Sequence, residues 1–306
     1  MSNAARSTLR EWVFNNLDAP TRGWLADQLA TLQIDSSDRT LYLTFGSIPR
    51  RLGKHALPLA ADDRALAQRL IPGWMPGRWS VVDAGRILVL SGLTGTSEQA
   101  THRFRSLCQT ADVSESVSLY RGLMLYPSPA ALEPQVAEGL RTNIRSVFEA
   151  IACDNPYPRE YFDQHRWNHM VLKALFIDSR LAPVQGLDER ANEELARIML
   201  DFAHERWAAG RAVPPEIWRC VGPFARDTVL ADLGRALASE NPLEKRAAAL
   251  ALAASPDPAA TALLGSVPAL ASEITHGRLS WQSIGLADES AVGPLSADPA
   301  LQQNKP

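Results

Sequence analysis

His165 and His169 stand four residues apart, the helical spacing at which two imidazoles share one face and can share one metal ion. The pattern is H-x-x-x-H without the glutamate that acts as general base in zinc proteases. Two readings stay open, a hydrogen-bonded pair inside a buried helix or an incomplete ligand set. No bound metal and no cofactor are expected. The stretch around them, residues 161–177, is apolar nearly all round and is expected to be buried. Asn168 and Lys173 lie in the same stretch. Lys173 either runs its aliphatic stem along apolar surface and keeps its ammonium in water, or holds a phosphate or carboxylate of a ligand.

The next stretch, residues 188–209, sorts at about 100° per residue into faces. Leu195, Met199, Phe202 and Ala203 make an apolar stripe, and Asn192 and Arg206 fall on it. A guanidinium there is costly unless paired. Arg206 is therefore expected to meet a carboxylate of an adjacent helix, with Glu138 and Glu149 the nearest by chain order, or to recognise an anion in a pocket between helices. Glu194, Asp201 and Glu205 share another arc, flanked by Arg190 and Arg197. That arc is either a solvated, salt-bridged face or one that meets a cation or polyol. With His204 added, His165, His169, Asp201 and Glu205 could line an enzyme's pocket. The candidate ligand-binding residues are Asn168, Lys173, Asn192, Asp201, His204, Glu205 and Arg206.

These residues sit in a chain of 306 residues with 46% hydrophobic and 21% charged side chains, ordinary values for a globular protein able to bury a sizeable core. A formal net charge of −3 argues against nucleic acid or an anionic membrane as partner. Positive charge is nearly all arginine, with lysine only at Lys54, Lys173, Lys245 and Lys305, a bias that suggests a bacterial gene rich in G and C. Cys108, Cys153 and Cys220 are odd in number, far apart and without C-x-x-C spacing. Neither disulfides nor a zinc knuckle follow, and a reducing cytoplasm is expected. No apolar run approaches a membrane span and no export signal is read. Phosphate-loop, dinucleotide-binding and nucleophile-elbow motifs are absent. So is an aspartate-rich D-D-x-x-D motif, since Asp62-Asp63 continues as Arg-Ala-Leu.

The elements that must position these groups read as helices throughout. Apolar residues recur at helical spacing over residues 7–32, broken at Ala19-Pro20, and over 60–70, 79–93, 96–110 and 114–125. LYLTF at 41–45 is strand-like in composition but has no partner strand, so a helix is expected. Residues 133–152 read as one long amphipathic helix with Val136, Leu140, Ile144, Val147 and Ile151 on one face. A further pair of helices follows at 224–239 and 242–255, the second member capped by Asn241 with Pro242 at the first helical position. The expected fold is all-α, an array of antiparallel helix pairs with α-α superhelical, HEAT-like character. Residues 1–5 read as an expression scar or disordered start. Residues 6–285 read as one helical domain and 286–306 as a disordered tail.

Several strings go further. NPYPREYF (155–162), WNHMVLKALF (167–176), DFAHERWAAGR (201–211) and IWRCVGPF (217–224), with ADVSESVSLYRGL (111–123) and residues 137–158, resemble the EboA-domain family. The likeness is densest over 111–224 and weaker over most of the rest as far as Trp281. His169 stands where that family's pattern has Gln. The resemblance implies a setting in ebo gene clusters, which accompany secondary-metabolite pathways and the handling or export of precursors. It implies no reaction. The expectation is a non-catalytic accessory protein whose partner is a small metabolite or another protein of such a pathway, set against the enzyme alternative above.

Overall fold

Caps and prolines cut the chain into helices. The computed structural model describes residues 3–35, 37–93 and 96–292. In chain order these form α1 (Asn3–Asn15), α2 (Ala19–Ile34), α3 (Asp38–Leu52), α4 (Ala61–Leu70), α5 (Val81–Ser91), α6 (Ser97–Thr110), α7 (Val113–Arg121), α8 (Glu133–Gly139) and α9 (Arg145–Ala152). There follow α10 (Tyr157–Tyr161), α11 (Gln164–Phe176), α12 (Glu193–Ala208), α13 (Ile217–Val221), α14 (Thr228–Leu237), α15 (Pro242–Ala254), α16 (Pro258–Gly265), α17 (Pro268–Thr275) and α18 (Trp281–Val292). Among the described residues the only β features are two isolated bridges, Ala56 with Ser80 and Cys153 with Val184. The all-α class expected from the sequence is observed. No described helix is long and apolar enough to cross a membrane.

Side-chain caps set the helix starts. Asp18, Ser80, Asp112, Asn192 and Asn241 each accept a backbone N–H from the first turn that follows, satisfying donors that have no partner within the helix. LYLTF lies inside α3, where Leu41, Phe45, Ile48 and Leu52 are buried at helical spacing.

Several boundaries differ from those expected, three of them in helices that carry the residues singled out above. The long helix over 133–152 is two helices, with Leu140–Ile144 irregular between them. Tyr120 crosses Gly139 so closely that a Cβ there would lie 2.4 Å from the phenol oxygen. Beyond it the Thr142 hydroxyl takes the Ile144 N–H, a local bond that competes with helix, and Ile144 is left exposed. The helix over 161–177 begins only at Gln164, where the Asp163 carboxylate accepts the Arg166 N–H at 2.7 Å. That over 188–209 begins at Glu193, on the Asn192 cap. At the ends of the chain, Asn3–Ala5 are helical with Ala5 buried, and α18 continues to Val292. The remainder of the expected tail, 293–306, lies outside the described residues.

Contacts gather the chain into two compact units, Met1–Met170 with Pro183–Gln185, and Val171–Ala182 with Gly186–Pro306. The first is built around α5, all eleven residues of which are buried. α1, α3 and α7 pack on it. Trp12, Trp74 and Trp79 form a chain of rings beside it, with centroids 5.5 and 6.1 Å apart. α7 packs on α9, and Asn155 joins their ends. Its Nδ2 donates to the carbonyls of Tyr120 (3.0 Å) and Ala150 (2.9 Å), while its Oδ1 accepts the Tyr157 N–H.

The second unit is built around α15, whose middle is alanine-rich and buried. α13, α14, α16, α17 and α18 pack against it. Gly222 meets it most closely, since a Cβ there would lie 2.7 Å from the Ala251 Cα. The buried Glu216 carboxylate accepts the N–H groups of Leu181 (2.8 Å) and Ala182 (2.6 Å). Phe176 of α11 meets Phe202 of α12 edge-on at 5.5 Å.

Candidate ligand cleft

The residues singled out by sequence are placed as follows. His165 and His169 do meet, their rings tilted by 43° with centroids 4.1 Å apart, but both are exposed. The expectation of a buried pair is corrected because α11 is amphipathic. Trp167, Asn168, Met170, Val171 and Ala174 go inward, and His165, His169 and Phe176 face water. Asn168 is buried as expected. Lys173 is half-buried, and that partial burial holds its ammonium below the usual lysine range. Among the described residues no group of three or more His, Cys, Asp or Glu is arranged to hold a metal.

On α12 the apolar stripe is as read, with Leu195, Met199, Phe202 and Ala203 buried. Asn192 caps it, its Oδ1 accepting the Leu195 N–H at 2.9 Å and its Nδ2 donating to the Arg190 carbonyl. Arg197 bridges Glu194 and Asp201, each at 2.8 Å, so that arc is a salt-bridged outer face. Arg197 holds the Glu194 carboxyl below its usual range by hydrogen bond and charge. His204 lies 3.0 Å from Asp232 at the surface, and Glu205 is exposed. Arg206 is a correction. It is half-exposed, its Nε donates to the Ala212 carbonyl, and its guanidinium lies 5.6 Å from the Phe202 ring. Its long stem carries the charge past the buried face to the helix end, where a carbonyl takes it. Glu138 and Glu149 pair instead with Arg141 and Arg145. His165 and His169 belong to the first unit, and Asp201, His204 and Glu205 to the second.

A buried ionic cluster went unread in the sequence. Asp83 of α5 accepts the Ser80 N–H and hydroxyl, the Ser118 hydroxyl at 2.7 Å and Arg121 at 2.8 Å. One turn on, Arg86 reaches Glu115 at 3.2 Å and Ser114 at 3.3 Å and lies over Phe45. Burial pulls its guanidinium pKa down, opposed by Glu115, Asp112 and Asp83. The readable signal was two charges inside the otherwise apolar run VVDAGRILVL. The cluster joins α5 to α7 and is saturated by its own members at Asp83. The Cys108 and Cys220 thiols are poor nucleophiles near neutral pH, since burial pushes both up to about 12.

An open cleft lies on the other side of α5. α1, α2 and α5 enclose about 390 Å³, within the roughly 300–1,000 Å³ typical of small-molecule sites. α1 contributes Asn3, Arg6, Ser7 and Arg10, α2 contributes Ala26, Leu29, Ala30 and Gln33, and α5 contributes Leu88 and Ser91, with Gly92 just past its end. These are the i, i+3, i+4, i+7 positions of α1 and of α2, one face of each. Arg6 donates to the Ser91 carbonyl and to Asn3 Oδ1, and Gln33 donates to the Gly92 carbonyl at 2.6 Å. The described lining residues carry no carboxylate, imidazole or thiol. They can bind and orient a molecule but offer no general base to activate the Ser7 or Ser91 hydroxyl as a nucleophile.

Comparison with known families finds one model, described as "Metabolite traffic protein EboA", matching residues 5–222. No curated protein matches the chain. No solved structure matches it.

Proposed function

The chain belongs to the EboA family, and from that premise we propose a non-catalytic helical accessory protein in metabolite traffic. It binds a small metabolite or a partner protein of an ebo-type secondary-metabolite pathway, in precursor handling or export, in a bacterial cytoplasm. The observation that carries a small-molecule ligand is the cleft between α1, α2 and α5, of ligand size and without catalytic side chains. Arg6, Ser7 and Arg10 fall within the family match, which begins at residue 5.

The region 6–285 acts in this reading as one family domain with helix-pair, HEAT-like character. Supporting it, α14 packs on α15 across a short connection, and α15 on α16. The enzyme alternative loses its main support. His165, His169, Asp201, His204 and Glu205 are all exposed, Asp201 pairs with Arg197, and His204 lies 3.0 Å from Asp232.

Native mass spectrometry of the protein, incubated with a small-molecule extract of pathway-bearing cells, tests this. The expected result is a stoichiometric adduct that is released unchanged on denaturation. Chemical conversion of the bound compound would overturn the non-catalytic reading.

A further inference from the structure

Resting on the metabolite-binding reading and narrowing it, we propose that the α1/α2/α5 cleft takes the anionic head, a carboxylate or phosphate monoester, of a small amphipathic molecule. Charge is the first argument. Arg6 and Arg10 stand one turn apart on α1 and both line the cleft, with no carboxylate in its lining. Arg197, Arg219 and Arg246, by contrast, each pair with an acid at 2.8 Å or closer. Among the described residues Arg6 donates to neutral acceptors, the Ser91 carbonyl and Asn3 Oδ1. Arg10 lies with its guanidinium 4.8 Å from the Phe14 ring centroid and is otherwise exposed. Stacking occupies the face of a guanidinium and leaves the N–H fork at its edge, the part that matches a carboxylate or phosphate.

Polarity of the rim is the second argument. The Ser91 and Gly92 carbonyls are already taken by Arg6 and Gln33. What the rim offers a newcomer is therefore chiefly donors and positive charge, from Arg6, Arg10 and the Ser7 hydroxyl, the last able also to accept. The third is the apolar part of the lining, where Leu29, Ala30 and the buried Leu88 present apolar surface to the same space as the two arginines. A head that accepts hydrogen bonds and a body that sheds water fit together there; a cation or a fully polar sugar does not.

The test is calorimetric titration of the full chain with octanoate, octyl phosphate, octanol and octyltrimethylammonium, each below its micellar concentration. Two variants accompany it: Arg10→Gln, at an exposed position, and Ala30→Trp, which fills the cleft. Circular dichroism and thermal melting confirm that both fold. We expect at least one anion to bind, and the relative affinity of the two distinguishes carboxylate from phosphate. Octanol and the quaternary ammonium should not bind. Arg10→Gln should weaken the anion about tenfold or more, as for a lost hydrogen bond to a charged group. Ala30→Trp should abolish binding. The proposal is overturned if neither anion binds, if octanol binds equally well, or if both folded variants bind like the parent. A ligand seen by native mass spectrometry and retained by Ala30→Trp would reject this site yet leave metabolite binding standing.

Discussion

Asp83→Ala should be among the most damaging single changes in the first unit. The carboxylate is 6% exposed and accepts four bonds, two from Ser80, one from Ser118 and one from Arg121. Bonds to a charged acceptor contribute roughly 1.5–3 kcal/mol each before compensation. Compensation is uneven here. The Arg121 side chain is 32% exposed and can turn to water, whereas Ser118 is fully buried and Arg86 is 3% exposed. Removing the carboxylate leaves the Ser118 hydroxyl with only the longer bond to the Ser114 carbonyl, at 3.1 Å, takes one of three acids from around Arg86 and strips Arg121 of its partner, so the loss should approach the roughly 3–5 kcal/mol of a broken buried pair. Asp83→Asn keeps the shape and one acceptor oxygen, and should cost about half as much. Urea titration followed by circular dichroism gives both values, with Arg121→Ala and the double variant completing a cycle. A cost below about 1 kcal/mol for Asp83→Ala would refute the claim that this cluster holds α5 to α7.

Gly222→Ala should destabilise by about 1–3 kcal/mol or more. The added methyl meets the Cα and carbonyl oxygen of Ala251 at 2.7 and 2.8 Å, so Ala251→Gly should fail to rescue it; rescue, read by thermal melting, would place the clash elsewhere. Arg206→Ala should cost no more than about 1 kcal/mol by urea titration, because a half-exposed guanidinium on a carbonyl leaves no stranded acid behind. Native Cys220, its thiol pushed up from 9.0 to about 12, should react with iodoacetamide at pH 8 at least about a thousandfold more slowly than the unfolded chain, by the thiolate fraction alone. The sign of the linked pH effect follows. Above pH 9 the unfolded chain releases this proton and the folded one holds it, so stability should fall as pH rises from 9 towards about 12. A melting temperature that rises over that window would contradict it.

What could be read from the sequence was local. Prolines and polar caps marked helix starts, as Asn241-Pro242 does for α15, and 3.6-residue periodicity identified the buried stripe of α12. What could not be read depends on partners distant in the chain. Residues 133–152 keep an unbroken amphipathic pattern, and only the overlying Tyr120 shows why Gly139 ends a helix. The His165 and His169 pair sits on an exposed face because neighbouring elements claimed the other side of α11, which composition alone does not reveal. Arg206 was misplaced by treating a long side chain as if its charge sat at its Cβ. The cleft brings residues 3–10 to residues 88–92, and neither segment announces a site alone.

The junction at Asn155 bears on how the protein ages. Asparagines deamidate when the next backbone nitrogen closes on the side-chain carbonyl, and the aspartate so formed has lost its amide donors. At Asn155 that exchange would set a new negative charge against the carbonyls of Tyr120 and Ala150, both now accepting from Nδ2. The residue that follows is Pro156, whose ring nitrogen carries no hydrogen to give up, so the ring closure that starts the damage is blocked. The NPYP string thus protects chemically the same side chain on which it relies mechanically, and the joint between α7 and α9 should outlast exposed asparagines in prolonged storage.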